Sequence, residues 1–371
     1  MKMLYAVGDA LFARELLEGG DHAKVRATLQ KLHNVVPVVP TRRVRRLKLA
    51  TSKAAVVSSF AGIGIGKPLS VEIREIYTGK YPRGLFCGTS SAMLVTTAMK
   101  NMEVFSGAAR AVNFLTKKVK PRTCLRHVDA TTVGTPVVYY SPALTQMNAV
   151  LTLDIAFDEF PKEAFDVIST AAATAAGIPA FAAAGPYLVI ASSIVSLAGK
   201  LGEAGFDNRP DFTATIPLTL DRPGDLPLAA DYRLCMNDNG LREIGSDYRI
   251  SDEGSLVRKD TGDRYGGDHP YIVLSIDGRE HPEREAFTPT AATAEMVKTF
   301  FGSQSMFSTS IETALEGMRL YSDWQFRKQA LALDTQLKTE TDPTKQEQLR
   351  ILRDAAVKNI GKGELKPNFG G

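Results

Sequence analysis

The clearest patterning in the chain is period-two alternation. Leu151, Leu153, Ile155 and Phe157 alternate with Thr152, Asp154 and Ala156, and Phe212, Ala214, Ile216, Leu218 and Leu220 alternate with Thr213, Thr215, Pro217 and Thr219. Successive side chains of a strand point to opposite faces, so each apolar set lies on one face of a sheet. Pro217 has no N–H to give to a ladder, which predicts that its strand sits at a sheet edge or a bulge. Further strand patterns occur at Val71–Arg74, Leu85–Met99, Val112–Val119 and Thr135–Tyr140, then at Asp231–Met236, Asp247–Ile250 and Tyr271–Ile276, the last followed by Asp277-Gly278 as turn chemistry for a hairpin.

Helical spacing replaces alternation at the two ends. Leu11, Leu16, Leu17, Val25, Leu29 and Leu32, broken by Gly19-Gly20, predict two short helices over Ala10–Leu32. Thr288-Pro289-Thr290 can start a helix that Gly302 stops. A longer one from about Ser308 to Lys338 carries Ile311, Leu315, Met318, Tyr321 and Trp324 on one stripe. Asp342-Pro343 is a cap and first-turn pair for a final helix with Leu349, Leu352, Ala356 and Ile360, so the last two helices should pair antiparallel. The tail Gly361–Gly371 has little apolar content and is expected to be mobile.

Between the two best strands the text changes. Val167 to Gly199 is 33 residues without a charge, 11 of them alanine, interrupted by Gly177-Ile178-Pro179 and Gly185-Pro186. That punctuation predicts a helical hairpin over 161–204, closed by Gly177 in its first helix and opened by Pro186 in its second. The second helix places Ser192, Ser193, Ser196, Lys200 and Glu203 on one side and Ile190, Ile194, Leu197, Ala198 and Leu201 on the other. Such a hairpin can pack on the sheet, or its apolar face, with Phe181, Tyr187, Ile190, Ile194, Leu197 and Leu201, can enter a membrane or join copies of the chain.

These elements predict an α+β fold: an antiparallel β-sandwich-like body with an inserted Ala-rich helical hairpin and a C-terminal helical pair. The expected organisation is an N-terminal helical segment at 1–36, a β-rich body at 37–286 with the insert at 161–204, and a helical region at 287–371. At 371 residues and 44% hydrophobic content the chain is long enough for a sizeable core. Asp9 interrupts the start before an apolar region of useful length, which does not fit a secretory signal. Cys87, Cys124 and Cys235 are too few and too dispersed for a disulfide framework. A cytoplasmic location is expected, with membrane association in the active form.

Charge sharpens the picture. Residues 1–130 hold 22 Lys or Arg against 8 Asp or Glu, net +14, which leaves 131–371 at −10 within the whole-chain +4. No acidic residue lies between Asp21 and Glu72, a stretch that contains Arg42, Arg43, Arg45, Arg46 and Lys48, and a second basic run holds Lys117, Lys118, Lys120, Arg122 and Arg126. Such a field attracts an acidic protein partner or an anionic membrane, unless it packs on the acidic part of its own chain. Neither run carries interleaved aromatic residues, which disfavours nucleic acid as the partner.

No catalytic, cofactor or metal motif emerges. Ala61-Gly62-Ile63-Gly64-Ile65-Gly66-Lys67-Pro68 departs from a phosphate loop at both ends, with Ala61 for glycine and Pro68 for Ser or Thr, and reads as a Gly-rich turn. The five histidines have no zinc spacing, and the Asn237–Gly240 and Asp260–Asp263 clusters read as Asx turns rather than calcium loops. Cofactors and metals are therefore not expected, and the catalytic residues of any enzyme would be unknown from sequence. A thiol and imidazole from Cys124, His127 and Asp129 would be the candidates. The favoured function is a non-enzymatic binding or effector protein that uses its basic face and its Ala-rich hairpin for membrane interaction or self-assembly. The alternatives are a structural subunit of a larger complex, joined to itself or to an acidic partner, and an enzyme whose site is assembled from distant residues.

Overall fold

A computed structural model describes residues 2–7, 10–13, 60–81, 91–101, 110–126, 136–146, 148–158, 212–219, 231–282, 284 and 308–369. The fold is α+β, built on antiparallel sheets and, among the described residues, three α-helices. The larger sheet runs β2 (Ala10–Ala13), β1 (Lys2–Val7), β10 (Asp231–Met236), β13 (Tyr271–Asp277) and β3 (Leu69–Tyr77), and both β6 (Cys124–Leu125) and β7 (Val137–Ser141) pair with β3. The smaller sheet has the order β5 (Arg110–Val119), β4 (Ser91–Asn101), β8 (Asn148–Asp158) and β9 (Phe212–Thr219). Pro217 pairs with Val150 from β9, the edge of that sheet, where a residue without N–H is tolerated.

The two sheets share one core. Met93, Val95, Phe114, Leu151, Leu153 and Ile155 of the smaller sheet cluster with Leu69, Val71, Ile73, Ile76, Ile272, Leu274 and Ile276 of the larger. Burial of this area is the main stabilising term. One polar thread crosses the core: Thr97 donates to Asn113 Oδ1 at 2.7 Å, and Asn113 donates to the Val137 carbonyl at 3.2 Å.

β3 is buried on both faces, and a bulge decides what each face carries. Ile73 pairs with Leu274 and Glu75 with Val273, so Arg74 is the extra residue. The inserted residue shifts the alternation by one. Leu69, Val71, Ile73 and Ile76 therefore face the shared core, while Glu75 and Tyr77 lie on the opposite face. That face is covered by α1 (Asp238–Ile244), by the hairpin of β11 (Tyr248–Ile250) and β12 (Leu256–Arg258), and by a second cluster that includes Leu4, Leu234, Ile244, Leu256, Tyr265 and Tyr271. Asn237 accepts from Gly240 N at 2.7 Å, so the Asn237–Gly240 turn opens a helix.

The helices α2 (Ser308–Thr339) and α3 (Pro343–Lys358) form the antiparallel pair expected, with Asp342 accepting from Thr344 N and Lys345 N as the N-cap. Their contact is made by Phe326, Ala330, Ala356 and Ile360, and Arg353 pairs with Asp334 at 3.1 Å. Asn359 ties the pair to the larger sheet, donating to the Ala143 carbonyl at 2.6 Å and accepting from the Ser141 hydroxyl at 3.0 Å. No helix among the described residues is long and apolar enough to cross a membrane.

Three expectations change. The first described elements are strands, β1 and β2, where a helical start was expected at Ala10, because β1 finds a long-range partner in β10. Asp277-Gly278 does not turn a hairpin: the Asp277 carboxylate accepts from Ala61 N at 2.9 Å and Gly278 N donates to the Ala61 carbonyl, locking the Gly-rich turn. The hairpin of that region is β11–β12, with Gly254 at φ +81°. The tail is held as far as Phe369. Asp323 accepts from Gly361 N and Lys362 N at 2.8 Å each, Arg327 donates to the Leu365 carbonyl, and Phe369 packs beneath the Arg353 guanidinium. The remainder of the 1–36 segment, the 161–204 hairpin and the helix expected after Thr288 lie outside the described residues.

Candidate functional site

The densest polar constellation is on the face of β3 that the bulge creates. Glu75 is fully buried. Its Oε1 accepts from the Tyr271 hydroxyl at 2.7 Å, and its Oε2 accepts from Ser255 at 2.7 Å and from Arg126 Nε at 3.0 Å. Arg126 also reaches Ser255 Oγ. Three donors stand where burial has removed the water of this carboxyl group. Tyr77 stacks on Tyr271 at 5.2 Å between ring centroids, and Tyr265 meets both edge-on.

Cys124 lies beside this cluster. Burial pushes its thiol pKa up, and the Glu75 charge adds to the rise against the opposing pull of Arg264 and Arg126. Burial likewise raises Tyr271, with the Glu75 charge adding to it, and pushes Tyr77 up to about 12. These groups are held in their protonated forms, the reverse of what activates a nucleophile. His127 and Asp129, the partners proposed for Cys124, lie outside the described residues. The cluster is chemically a fixed polar core under the sheet.

A second buried carboxylate, Glu72, accepts from Ser70 at 3.1 Å and pairs with Arg284 and with Arg74. Burial alone would raise its pKa, but the charges of Arg284 and Arg74 and the hydrogen bonds from Arg284 and Ser70 outweigh it, so the net shift is below the usual 4.5. A depressed carboxylate contributes stability above its unfolded pKa and loses it as pH falls toward the folded one. Unfolding midpoints measured at neutral pH and below the usual carboxylate range should therefore converge between the wild type and Glu72→Gln, the wild type losing more.

The basic run of the sequence leads to the surface beside this cluster. The turns at 78–81 and 120–123 are stitched together: Arg122 N donates to the Gly79 carbonyl at 2.6 Å, Thr78 N to the Thr123 carbonyl at 3.1 Å, and Thr78 Oγ1 to the Lys120 carbonyl at 3.1 Å. Arg122 takes a left-handed backbone, φ 56°, and Gly79 does the same at 58°. The result is a corner on which Lys80, Lys118, Lys120 and Arg122 are all exposed. Asp268 pairs with Arg122 at 2.8 Å in a solvent-exposed bridge.

Of the residues singled out from sequence, Lys118 and Lys120 stand on this corner and Lys117 occupies the adjoining position of β5. Arg42, Arg43, Arg45, Arg46 and Lys48 lie outside the described residues, as do Phe181, Tyr187, Ile190, Ile194, Leu197 and Leu201. Sequence reasoning missed Lys80, which reaches the corner from the turn after β3, and Glu75, whose inward direction depends on the bulge. Among the described residues no group of three or more His, Cys, Asp or Glu side chains could hold a metal ion. In the Asp260 cluster, Asp260 Oδ1 accepts from the adjacent Thr261 N at 2.8 Å, and the turn is closed instead by Thr261 Oγ1 accepting from Asp263 N at 3.2 Å.

No family model, no curated protein and no solved structure matches this chain.

Proposed function

We propose that this chain is a binding protein that docks its basic corner on an anionic membrane surface and works by association rather than by chemistry on a substrate. The observation that carries the reading is the exposure, at one corner, of Lys80 and Arg122 on two turns stitched to each other and of Lys118 and Lys120 where β5 leads into the second turn. Lysines on a fixed backbone present charge without directional pairing, which suits a sheet of headgroups. The charge-free, alanine-rich stretch from Val167 to Gly199 adds support from sequence, as a segment for insertion or for self-assembly.

Co-sedimentation with phosphatidylcholine vesicles that contain phosphatidylserine tests this. Binding should fall steeply as salt rises from low to physiological strength, because exposed charges are screened within about 8–10 Å. Binding that ignores salt, or none to the anionic vesicles, would remove the proposal. A second reading, a structural subunit of a larger assembly that joins itself or an acidic protein partner, takes its support from the α2–α3 hairpin, whose outer side carries apolar residues. Light scattering separates the two, since a defined lipid-independent oligomer favours the second.

A further inference from the structure

We infer that the outward face of α2 around Trp324 is an apolar docking ridge for an anionic lipid surface, an inference that rests on the membrane reading above and adds a second contact to it. Among the described residues, every large apolar side chain that is exposed belongs to the α2–α3 hairpin, and four of these five lie on α2: Leu320, Tyr321, Trp324 and Leu331. Trp324 is 51% exposed and Leu331 44%. Spacings of four and seven residues put Leu320, Trp324 and Leu331 on one side of the helix, along about 16 Å of axis. The opposite side, with Phe326 and Ala330, is consumed by α3. Tertiary packing thus uses one face of α2 and leaves a tryptophan and two leucines on the other, an arrangement the fold does not require.

The charges around the ridge choose its occupant. None of the exposed residues of α2 between 320 and 339 is acidic, and the charged ones are Lys328 and Lys338. The Lys328 ammonium sits 5.6 Å from the Trp324 ring centroid, and Lys338, paired with Asp334 at 2.8 Å, keeps most of its surface in water. Tryptophan and leucine flanked by lysine is the composition of a helix lying in the plane of an anionic interface. A second copy is disfavoured, because the same face of another α2 offers no exposed acidic residue between 320 and 339 to set against Lys328 and Lys338. The outward face of α2 is convex, so it suits a deformable surface.

Trp324 is the sole tryptophan of the chain, so its emission reports this face alone. With the full chain and vesicles of phosphatidylcholine plus phosphatidylserine, the emission should shift to the blue and acrylamide quenching should fall. Leu331→Glu should lower the partition coefficient by about tenfold, the share of one buried leucine, and Lys328→Glu should weaken the salt dependence. Both positions are exposed, and an unchanged circular dichroism spectrum confirms that each variant folds. Vesicle binding with unmoved Trp324 emission and wild-type partitioning of Leu331→Glu would overturn this inference and leave the basic-corner reading standing. Absence of any vesicle binding would overturn both. A lipid-free oligomer that Leu331→Glu dissociates would assign the ridge to a second copy and overturn the lipid assignment.

Discussion

Glu75→Ala is expected to destabilise the chain by about 3–5 kcal/mol, the range for a buried ion pair that loses one member. The carboxylate accepts from Arg126, Ser255 and Tyr271 within 3.0 Å, and its side chain has no exposed surface. Removing it leaves two hydroxyl donors without their acceptor and one guanidinium without its countercharge. Arg126 retains 28% exposure and can turn toward water, so the lower half of that range is the better expectation. Glu75→Gln keeps the volume and one acceptor oxygen but turns an amide N–H₂ toward existing donors, and should cost about 1–3 kcal/mol. Urea midpoints followed by far-ultraviolet circular dichroism measure both. A Glu75→Ala midpoint equal to the wild type would contradict the assignment of this cluster as the polar anchor between β3, β6, β12 and β13.

Gly79→Ala should be nearly as damaging, and it acts on the proposed surface directly. A Cβ at Gly79 would sit 2.5 Å from the Asp268 carbonyl oxygen, 2.6 Å from Pro270 N and 2.8 Å from the His269 carbonyl carbon. These are backbone atoms, which cannot swing aside, and the φ of +58° adds strain for any residue with a side chain. A cost of about 2–4 kcal/mol follows, together with weaker anionic vesicle binding, because the Gly79 carbonyl holds the amide of Arg122. Gly262→Ala is the control. Its φ is +75° but nothing lies within 4 Å of the added carbon, so only the conformational term of about 1–2 kcal/mol should appear. Equal effects at the two glycines would show that the close approach at the corner is not under load.

Period and punctuation made much of this architecture readable. Asp231–Met236 forms the strand expected at the same bounds, Pro217 stands on an edge strand, and the long C-terminal helix starts at Ser308 and ends one residue past its expected stop. Asp342-Pro343 caps the last helix because a carboxylate beside free amides and a residue with no N–H have few other uses. These signals are local, so they survive without knowledge of the partner strands.

What escaped the sequence depends on partners far along the chain. The alternation of Val71 and Ile73 with Glu72 and Arg74 marks a strand but not what covers its polar side: Glu72 and Glu75 are buried because Arg284, Arg126, Ser255 and Tyr271 arrive from distant segments. The bulge at Arg74 has no sequence mark of its own, since no glycine announces it. Ala10–Ala13 reads as a helix start until β1 is known to pair with β10, more than 220 residues away. The helical stripe named in the sequence left its destination open: Tyr321 and Trp324 are exposed while Phe326 and Ala330 occupy the buried arc, and periodicity alone does not say which arc meets α3. The basic corner was half legible. Lys118 and Lys120 stood out by their density, whereas Lys80 joins them only through the hydrogen bonds between two turns.

The most direct test reverses charge in two places at equal cost in net charge. Lys118→Glu with Lys120→Glu alters the corner, and Lys345→Glu with Lys358→Glu makes the same change on exposed positions of α3. Measured by co-sedimentation with phosphatidylserine-containing vesicles at low salt, the corner pair should abolish most of the binding and the helix pair should leave most of it. Equal losses from both pairs, or retention of binding by the corner variant, would contradict the account.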